Sequence, residues 1–242
     1  MKKKLYILLG LYCILPTYLT AREINVGMGL SIPPYVISET NSGIEYDIVE
    51  SALNAVGHSL APIYLPMARV SIMLSEHKVD AATPLMPANT QNVCYSDSHI
   101  QYQNVAVALT SNNFSINAIG DLAGKDLIAF QSAPSYLGIE FSSAVKGNRR
   151  YNEYANQNKQ IHALFNGDTE IIVLDINIFY YYYNQSKRKA DFEAHSIFPV
   201  FPPSIYSVGF TDDKLCKDFN RGLDMIKKNQ VYSNIMKRYT GR

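Results

Sequence analysis

The sequence predicts an α/β fold in which strands alternate with helices to build parallel sheets. Three observations between residues 24 and 87 support this prediction. Residues 24–30 alternate between apolar and other side chains, as a half-buried strand does. Residues 44–56 carry apolar side chains at helical spacing, and a glycine follows them. A second run of strand, helix and strand covers residues 60–83. Ligands of such sheets bind at the carboxyl ends of the strands.

The elements expected along the chain continue this alternation. Pro33 and Pro34 end the first strand and leave Tyr35 on the loop behind it. A second unit of the same kind begins near residue 121, and Pro134 suits the first turn of a helix. Further strands are expected over residues 105–109, 127–130, 170–174, 197–198 and 205–210. Further helices are expected within 151–167, after a loop, and over 176–183, 213–226 and 231–239.

One internal spacing indicates two similar lobes. Leu74 ends a helix six residues before Asp80 at a strand start, and Leu164 stands six residues before Glu170 in the same arrangement. We therefore expect two βα lobes with crossing strands near residues 101–110 and 199–207. A cleft between two lobes can enclose a small ligand and close on it by a hinge motion.

The first 21 residues have the pattern of a secretory signal peptide, with three lysines ahead of an apolar run that ends near Ala21. A lipoprotein signal at Cys13 is disfavoured because bulky Tyr12 precedes it. Cleavage after Ala21 removes three of the 22 basic residues, which leaves 19 against 21 acidic residues and a net charge near −2. We expect a soluble periplasmic protein of one large or two small domains.

Composition and motifs argue against several classes of function. The mild charge balance and the lack of a basic face argue against nucleic-acid binding. The five histidines are scattered, so a metal site is not expected. Gly27 and Gly29 lack the third glycine of a dinucleotide loop, and neither G-x-S-x-G nor H-E-x-x-H occurs. No cofactor is expected. Cys94 and Cys216 can form a disulfide or remain two buried thiols, and the spacing does not decide between these.

Seven segments in order resemble the extracellular solute-binding protein family 3, the amino-acid-type periplasmic receptors of ABC transporters. Together they extend over nearly the whole mature chain. They are IPPY (32–35), GIEYDIVESAL (43–53), MARVSIMLSEHKVDAA (67–82), CYSDSHIQYQNVAVAL (94–109), DLAGKDLIAFQS (121–132), LFNGDTEIIVLD (164–175) and FNRGLDMIKKNQVYSNIMKRY (219–239).

The resemblance implies a two-lobe fold of the type II periplasmic-binding-protein kind. Lobe I would comprise residues 22–105 and 204–242, and lobe II residues 106–203. The protein would be a monomer that binds a small polar solute and docks on a membrane permease.

The resemblance also implies two ligand-binding positions. Family members that bind amino acids hold the ligand ammonium with an aspartate, which is here Asp175, and the ligand carboxylate with an arginine. The place of that arginine falls at Asn89, which supplies neither the charge nor the fork of a guanidinium. This departure weighs against an α-amino acid held in the family's manner. Arg69 is the nearest candidate to replace the missing arginine.

The other candidate contacts each have a structural alternative. Tyr35 can stack on a ligand or cover the core, Arg69 can clamp an anion or lie over the first lobe, and Asp175 can also cap the helix behind it. Glu45 can face the mouth of the cleft or solvent, and solvent is expected.

A polar wall is expected where a helix of the second lobe begins. Gln131, Ser132 and Ser135 flank the start of the helix at Pro134, where free N–H groups attract oxygen atoms. The alternative is that Ser132 only caps this helix.

Three functions follow from these residues. The favoured one is a solute receptor that serves a permease and does no catalysis. The second is a dehydratase of cyclic acids on the same scaffold, which would use Asp175 or Glu45 as an acid with a shifted pKa. The third is a sensory module that docks on a receptor.

Overall fold

The computed structural model describes residues 21–87, 92–186 and 193–241. It contains two β-sheets with helices packed on them, so the predicted α/β fold class is confirmed. In the part of the chain that is described, no helix has both the length and the apolar character needed to cross a bilayer.

The first sheet has the strand order β2-β1-β3-β11-β4, and β5 pairs with β11 outside this path. Strand β1 is parallel to both β2 and β3, whereas β11 runs antiparallel to β3. Parallel β1, β2 and β3 therefore end at one common edge, as the sequence predicts. The strands are β1 (Glu23–Gly29), β2 (Ser59–Leu65), β3 (Ala81–Leu85), β4 (Cys94–Tyr95), β5 (Ile100–Tyr102) and β11 (Ser204–Phe210).

The second sheet has the order β10-β6-β9-β7-β8. Strand β7 is parallel to β8 and β9, and β6 is antiparallel to β9 and β10. The chain enters this sheet at Gln103 and leaves it through residues 199–203. The strands are β6 (Asn104–Leu109), β7 (Leu127–Phe130), β8 (Tyr151–Tyr154), β9 (Ile171–Asp175) and β10 (His195–Phe198).

Helices cover both sheets and bury their apolar sides. Helices α1, α6 and α7 pack on one another beside the first sheet, α4 and α5 pack on β9, and α5 also contacts α7. Two short 3-10 helices, Thr110–Asn112 and Ile119–Leu122, precede β7. The α-helices are α1 (Ile44–Asn54), α2 (Met67–Ser75), α3 (Ala133–Val145), α4 (Asn158–Asn166), α5 (Ile176–Gln185), α6 (Asp213–Lys228) and α7 (Val231–Thr240).

Two local features differ from the sequence prediction. Residues 151–154 form strand β8 at the edge of the second sheet, where the sequence predicts a loop. The sequence does not indicate this strand because polar Asn152 and Glu153 at its centre interrupt the apolar alternation. Helix α3 is interrupted at Gly138, whose φ of 87° and ψ of −176° are not helical. Glycine tolerates this conformation without steric cost. The first turn of α3 is thereby set apart from the rest of the helix.

Cys94 of β4 and Cys216 of α6 form a disulfide, with their Cα atoms 6.2 Å apart. Of the two alternatives that the sequence leaves open, the structure has the disulfide. It ties the edge of the first sheet to the helix that packs on it.

Helices α1 and α6 approach each other closely at Gly222, where an added Cβ would collide with the carbonyl oxygen of Ala52. We expect Gly222→Ala to lower the free energy of unfolding by about 1–3 kcal/mol, as overpacking typically does, in spite of the helix propensity that alanine adds. Gly120→Ala is the matched control, because its Cβ would meet no atom within 4 Å. Urea denaturation measures both, and a Gly222→Ala variant as stable as the control would contradict the packing described.

Candidate functional site

The loop that follows β1 carries Tyr35 into the interior. Tyr35 is fully buried, and its carbonyl oxygen accepts a 2.9 Å hydrogen bond from the backbone N–H of Glu45. Gly43, just before α1, has a φ of 121°, and a Cβ there would collide with Tyr35. The loop is thus held against the start of α1, and the position of Tyr35 follows from this close approach.

Tyr35 meets Asp175, which ends strand β9 of the second sheet. The Tyr35 hydroxyl donates to Asp175 Oδ1 at 2.9 Å and accepts from Asn177 Nδ2 at 3.0 Å. The sequence predicts both Tyr35 and Asp175 as ligand contacts, and the structure brings them together. Their hydrogen bond connects the loop after β1 with the second sheet.

Asp175 also caps α5, which is the structural alternative that the sequence allows. Its Oδ1 accepts from the backbone N–H groups of Asn177 (2.8 Å) and Ile178 (3.1 Å), and its Oδ2 accepts from the N–H of Gln103 (2.8 Å). With the Tyr35 hydroxyl, four donors serve one carboxylate that is only 2% exposed. The acceptor capacity of this carboxylate is therefore largely used within the protein.

Burial dominates the electrostatics at this position. It raises the pKa of Asp175 to about 6, although the hydrogen bonds from Tyr35 and from the backbone act in the opposite direction. Burial, reinforced by the charge of Asp175, raises the pKa of Tyr35 well above its ordinary value. Tyr35 therefore remains a donor throughout the physiological range.

The expectation that Glu45 faces solvent is wrong, because Glu45 is fully buried. Its Oε1 accepts from Thr83 Oγ1 at 2.5 Å and lies 3.2 Å from His99 Nε2, and its Oε2 accepts from the Tyr102 hydroxyl at 3.1 Å. The Tyr102 ring stacks on the Tyr35 ring with their centroids 3.8 Å apart. Glu45, Thr83, His99 and Tyr102 thus form a buried polar cluster beside Tyr35.

Sequence reasoning missed this cluster, although one signal for it exists. Glu45 precedes Val49 and Ala52 by four and seven residues, which places it on the buried side of α1. Its partners Thr83, His99 and Tyr102 come from distant segments without a common pattern.

The predicted polar wall lies at the start of α3 and is exposed. Gln131, Ser132 and Ser135 are all on the surface. Ser132 adopts a left-handed conformation with a φ of 61° and does not cap the helix with its side chain. Its backbone N–H donates to Glu153 Oε2 at 2.6 Å, so this group already has an acceptor within the protein.

The structure describes one of the two remaining candidates, Arg69. Arg69 lies in the first turn of α2 with an exposed side chain, and its backbone N–H donates to Pro66. Asn89 lies outside the described residues.

A cavity of ≈ 260 Å³ lies between elements of the two sheets. Met86, just after β3, lines one side of it, and Tyr136 and Leu137 from the first turn of α3 line another. The segment that leads from β10 into β11 completes the wall with residues 201–205. None of the six predicted residues that the structure describes lines this cavity, but Ser135 directly precedes Tyr136.

The model of the bacterial extracellular solute-binding proteins, family 3, matches residues 24–242. The chain belongs to this family. The resemblance expected from the sequence is thereby confirmed, and so is a solute-binding role. The comparison with curated proteins gave no significant match.

Solved structures share the fold of this chain. An ancestral arginine-binding protein bound to glutamine has a TM-score of 0.68 at 18% identity, over 91% of this chain and 98% of that one. The GluR0 ligand-binding core in complex with L-glutamate has a TM-score of 0.73 at 15% identity, over 91% and 99%.

An ABC uptake transporter substrate-binding protein from Streptococcus pneumoniae with bound histidine has a TM-score of 0.69 at 18% identity, over 91% and 93% of the two chains. The expected type II periplasmic-binding-protein fold of this family 3 member is confirmed by these matches.

The contact between Tyr35 and Asp175 makes a titration prediction. Because the Tyr35 hydroxyl stabilises the ionised carboxylate, Tyr35→Phe should raise the pKa of Asp175 above about 6. The carboxyl-carbon chemical shift of Asp175, followed by NMR over pH, measures this. Tyr64→Phe is the control, since Tyr64 donates to Asn41 instead. An unchanged or lower pKa in Tyr35→Phe would contradict the hydrogen bond.

The raised pKa of Asp175 also makes folding stability depend on pH, because the folded and unfolded chains bind its proton differently. The folded protein keeps the proton of Asp175 up to about pH 6, whereas the unfolded chain loses it near the ordinary value of 3.8. The contribution of Asp175 to folding stability therefore decreases as the pH rises from about 4 to about 6.

Proposed function

We propose that this protein captures a small solute between two lobes in the periplasm and delivers it to the membrane permease of an ABC-type importer, without catalysing a reaction. The lobes would comprise residues 22–105 with 204–242, and residues 106–203, after removal of a signal peptide. Membership in solute-binding family 3 supports the proposal.

One observation supports it most strongly, namely the position of the ≈ 260 Å³ cavity. Its walls come from the end of β3, from the first turn of α3 and from the segment that connects the two sheets. A solute in this cavity would contact both lobes at once. Contacts of this kind stabilise a closed arrangement relative to an open one, which is a population shift.

The two segments between the sheets are suited to act as hinges. Gln103 lies in the first of them, and its side-chain amide donates to the carbonyl oxygen of Phe201 in the second at 2.8 Å. Its backbone N–H donates to Asp175. Gln103 therefore couples both crossings to the site where Tyr35 and Asp175 meet.

We propose different roles for the residues predicted from the sequence. Tyr35 and Asp175 would position the walls of the cavity and would not contact the solute directly, because their polar groups serve each other. Ser135 lies beside Tyr136 at the cavity wall. The predicted contacts at Gln131 and Ser132 on the same turn, and at Arg69 and Asn89, remain proposals.

A dehydratase is the second candidate, and the raised pKa of Asp175 favours it. A general acid must reach its substrate, however, and the Asp175 carboxylate is 2% exposed and bound by four donors. Glu45 is fully buried as well. We therefore propose binding without turnover.

A thermal-shift screen of amino acids, amines, carboxylates and neutral aromatic compounds tests this function. A solute at about 100 times its Kd should stabilise the protein by about 2.7 kcal/mol. Tyr136→Ala should weaken the binding of any hit at least tenfold, because it removes one wall of the cavity. Met225→Ala should leave binding unchanged, because exposed Met225 lies on α6 outside the cavity wall. Arg69→Ala tests whether this arginine takes part.

Two results would contradict the proposal. The first is a bound solute that is insensitive to Tyr136→Ala. The second is the conversion of a hit into a product, detected by mass spectrometry, which would establish the enzymatic alternative.

A further inference from the structure

Most of the described side chains that line the ≈ 260 Å³ cavity are apolar. Seven of its eight lining residues are aromatic, aliphatic, methionine or proline, and Ser204 is the exception. Charged side chains are absent from this lining among the described residues. The described lining therefore offers apolar side-chain contact and no charged partner.

Large apolar side chains are also exposed at the carboxyl edge of the first sheet and on α3. Three of them lie just after parallel strands of this sheet: Leu30 after β1, Met67 after β2 and Met86 after β3. Their side chains are 52%, 38% and 47% exposed, respectively. On α3, Tyr136 and Ile139 are 47% and 83% exposed, and Tyr136 lines the cavity together with Met86. Met28 pairs with Thr83, so β1 and β3 leave the sheet side by side at this edge. Exposed apolar surface of this kind at one site indicates a binding surface.

Several polar groups that could receive a charged solute are engaged within the protein. Asp175 accepts four hydrogen bonds within the protein. Glu45 is closed in by Thr83, His99 and Tyr102. The N–H of Ser132 is bound by Glu153. The position therefore offers apolar contact more readily than ionic recognition.

We propose that the solute presents an uncharged aromatic or branched aliphatic group to this cavity, so that apolar contact with Met86, Tyr136 and Ile205 provides its recognition. A cavity of about 150 Å³ already accommodates benzene. The larger volume here suits a substituted single ring or a fused ring. This inference rests on the proposed solute-binding function and specifies the class of solute.

The test uses indole and p-cresol as uncharged ring probes, with L-arginine, L-glutamine and L-glutamate as polar probes. Saturation-transfer NMR detects binding, and isothermal titration calorimetry measures it. We expect both ring probes to bind and the three polar probes to bind at least tenfold more weakly. All measurements use the mature chain.

A matched pair of variants locates the binding. Met86→Asp places a carboxylate in the cavity wall and should weaken the binding of indole at least tenfold. Met225→Asp introduces the same change at a side chain of similar exposure, 44% against 47%, and should change the affinity less than twofold. If Met86→Asp does not fold, Tyr136→Ala replaces it, because it removes another side chain of the same cavity wall and should also weaken the binding of indole. Circular dichroism checks that this variant is folded.

The outcomes separate this inference from the function on which it rests. Binding of the polar probes but not of the ring probes would overturn the inference and leave solute binding intact. Binding of indole that is equally strong in both aspartate variants would also overturn it. Binding of none of the probes, together with no hit in the thermal-shift screen, would overturn both.

Discussion

The hydrogen bond between the Tyr35 hydroxyl and the Asp175 carboxylate is the contact on which the arrangement of this molecule depends. It joins a loop that follows the first strand of one sheet to the end of a central strand in the other. Burying a carboxylate is costly unless donors replace its lost water. Here the hydroxyl and three backbone N–H groups, from Gln103, Asn177 and Ile178, replace it. The Asp175 carboxylate thereby caps α5, binds Gln103 where the chain first crosses between the sheets, and holds Tyr35.

A second buried carboxylate, that of Glu45, helps to hold Tyr35 in place. Glu45 binds Thr83 and Tyr102, and the Tyr102 ring lies flat against Tyr35. The backbone N–H of Glu45 in turn binds the carbonyl oxygen of Tyr35. Polar contacts thus run without a break from the start of α1 to the start of α5. This chain of contacts therefore joins the start of a helix beside the first sheet to the start of a helix that packs on the second.

Local patterns in the sequence predict most of the fold and part of the site. Alternation in residues 24–30 and helical spacing in 44–56 predict β1 and α1, since each element buries one side. Asp175 is identified through the resemblance to family members that bind amino acids, and it follows four apolar strand residues. Strand β8 could not be predicted, because an edge strand buries few apolar side chains and therefore shows little apolar alternation. The burial of Glu45 and the disulfide between Cys94 and Cys216 depend on segments far apart in sequence, and no local pattern specifies such contacts.

Three solved structures that share this fold contain bound glutamine, L-glutamate and histidine. Here the contact between Tyr35 and Asp175 uses polar capacity inside the protein, and apolar side chains line the cavity beside it. A double-mutant cycle with Tyr35→Phe and Asp175→Ala, measured by urea denaturation near pH 7, tests this account most directly. We predict a coupling free energy of about 1–3 kcal/mol between the two positions. Additivity within about 0.5 kcal/mol would show that the two side chains do not interact and would contradict the account.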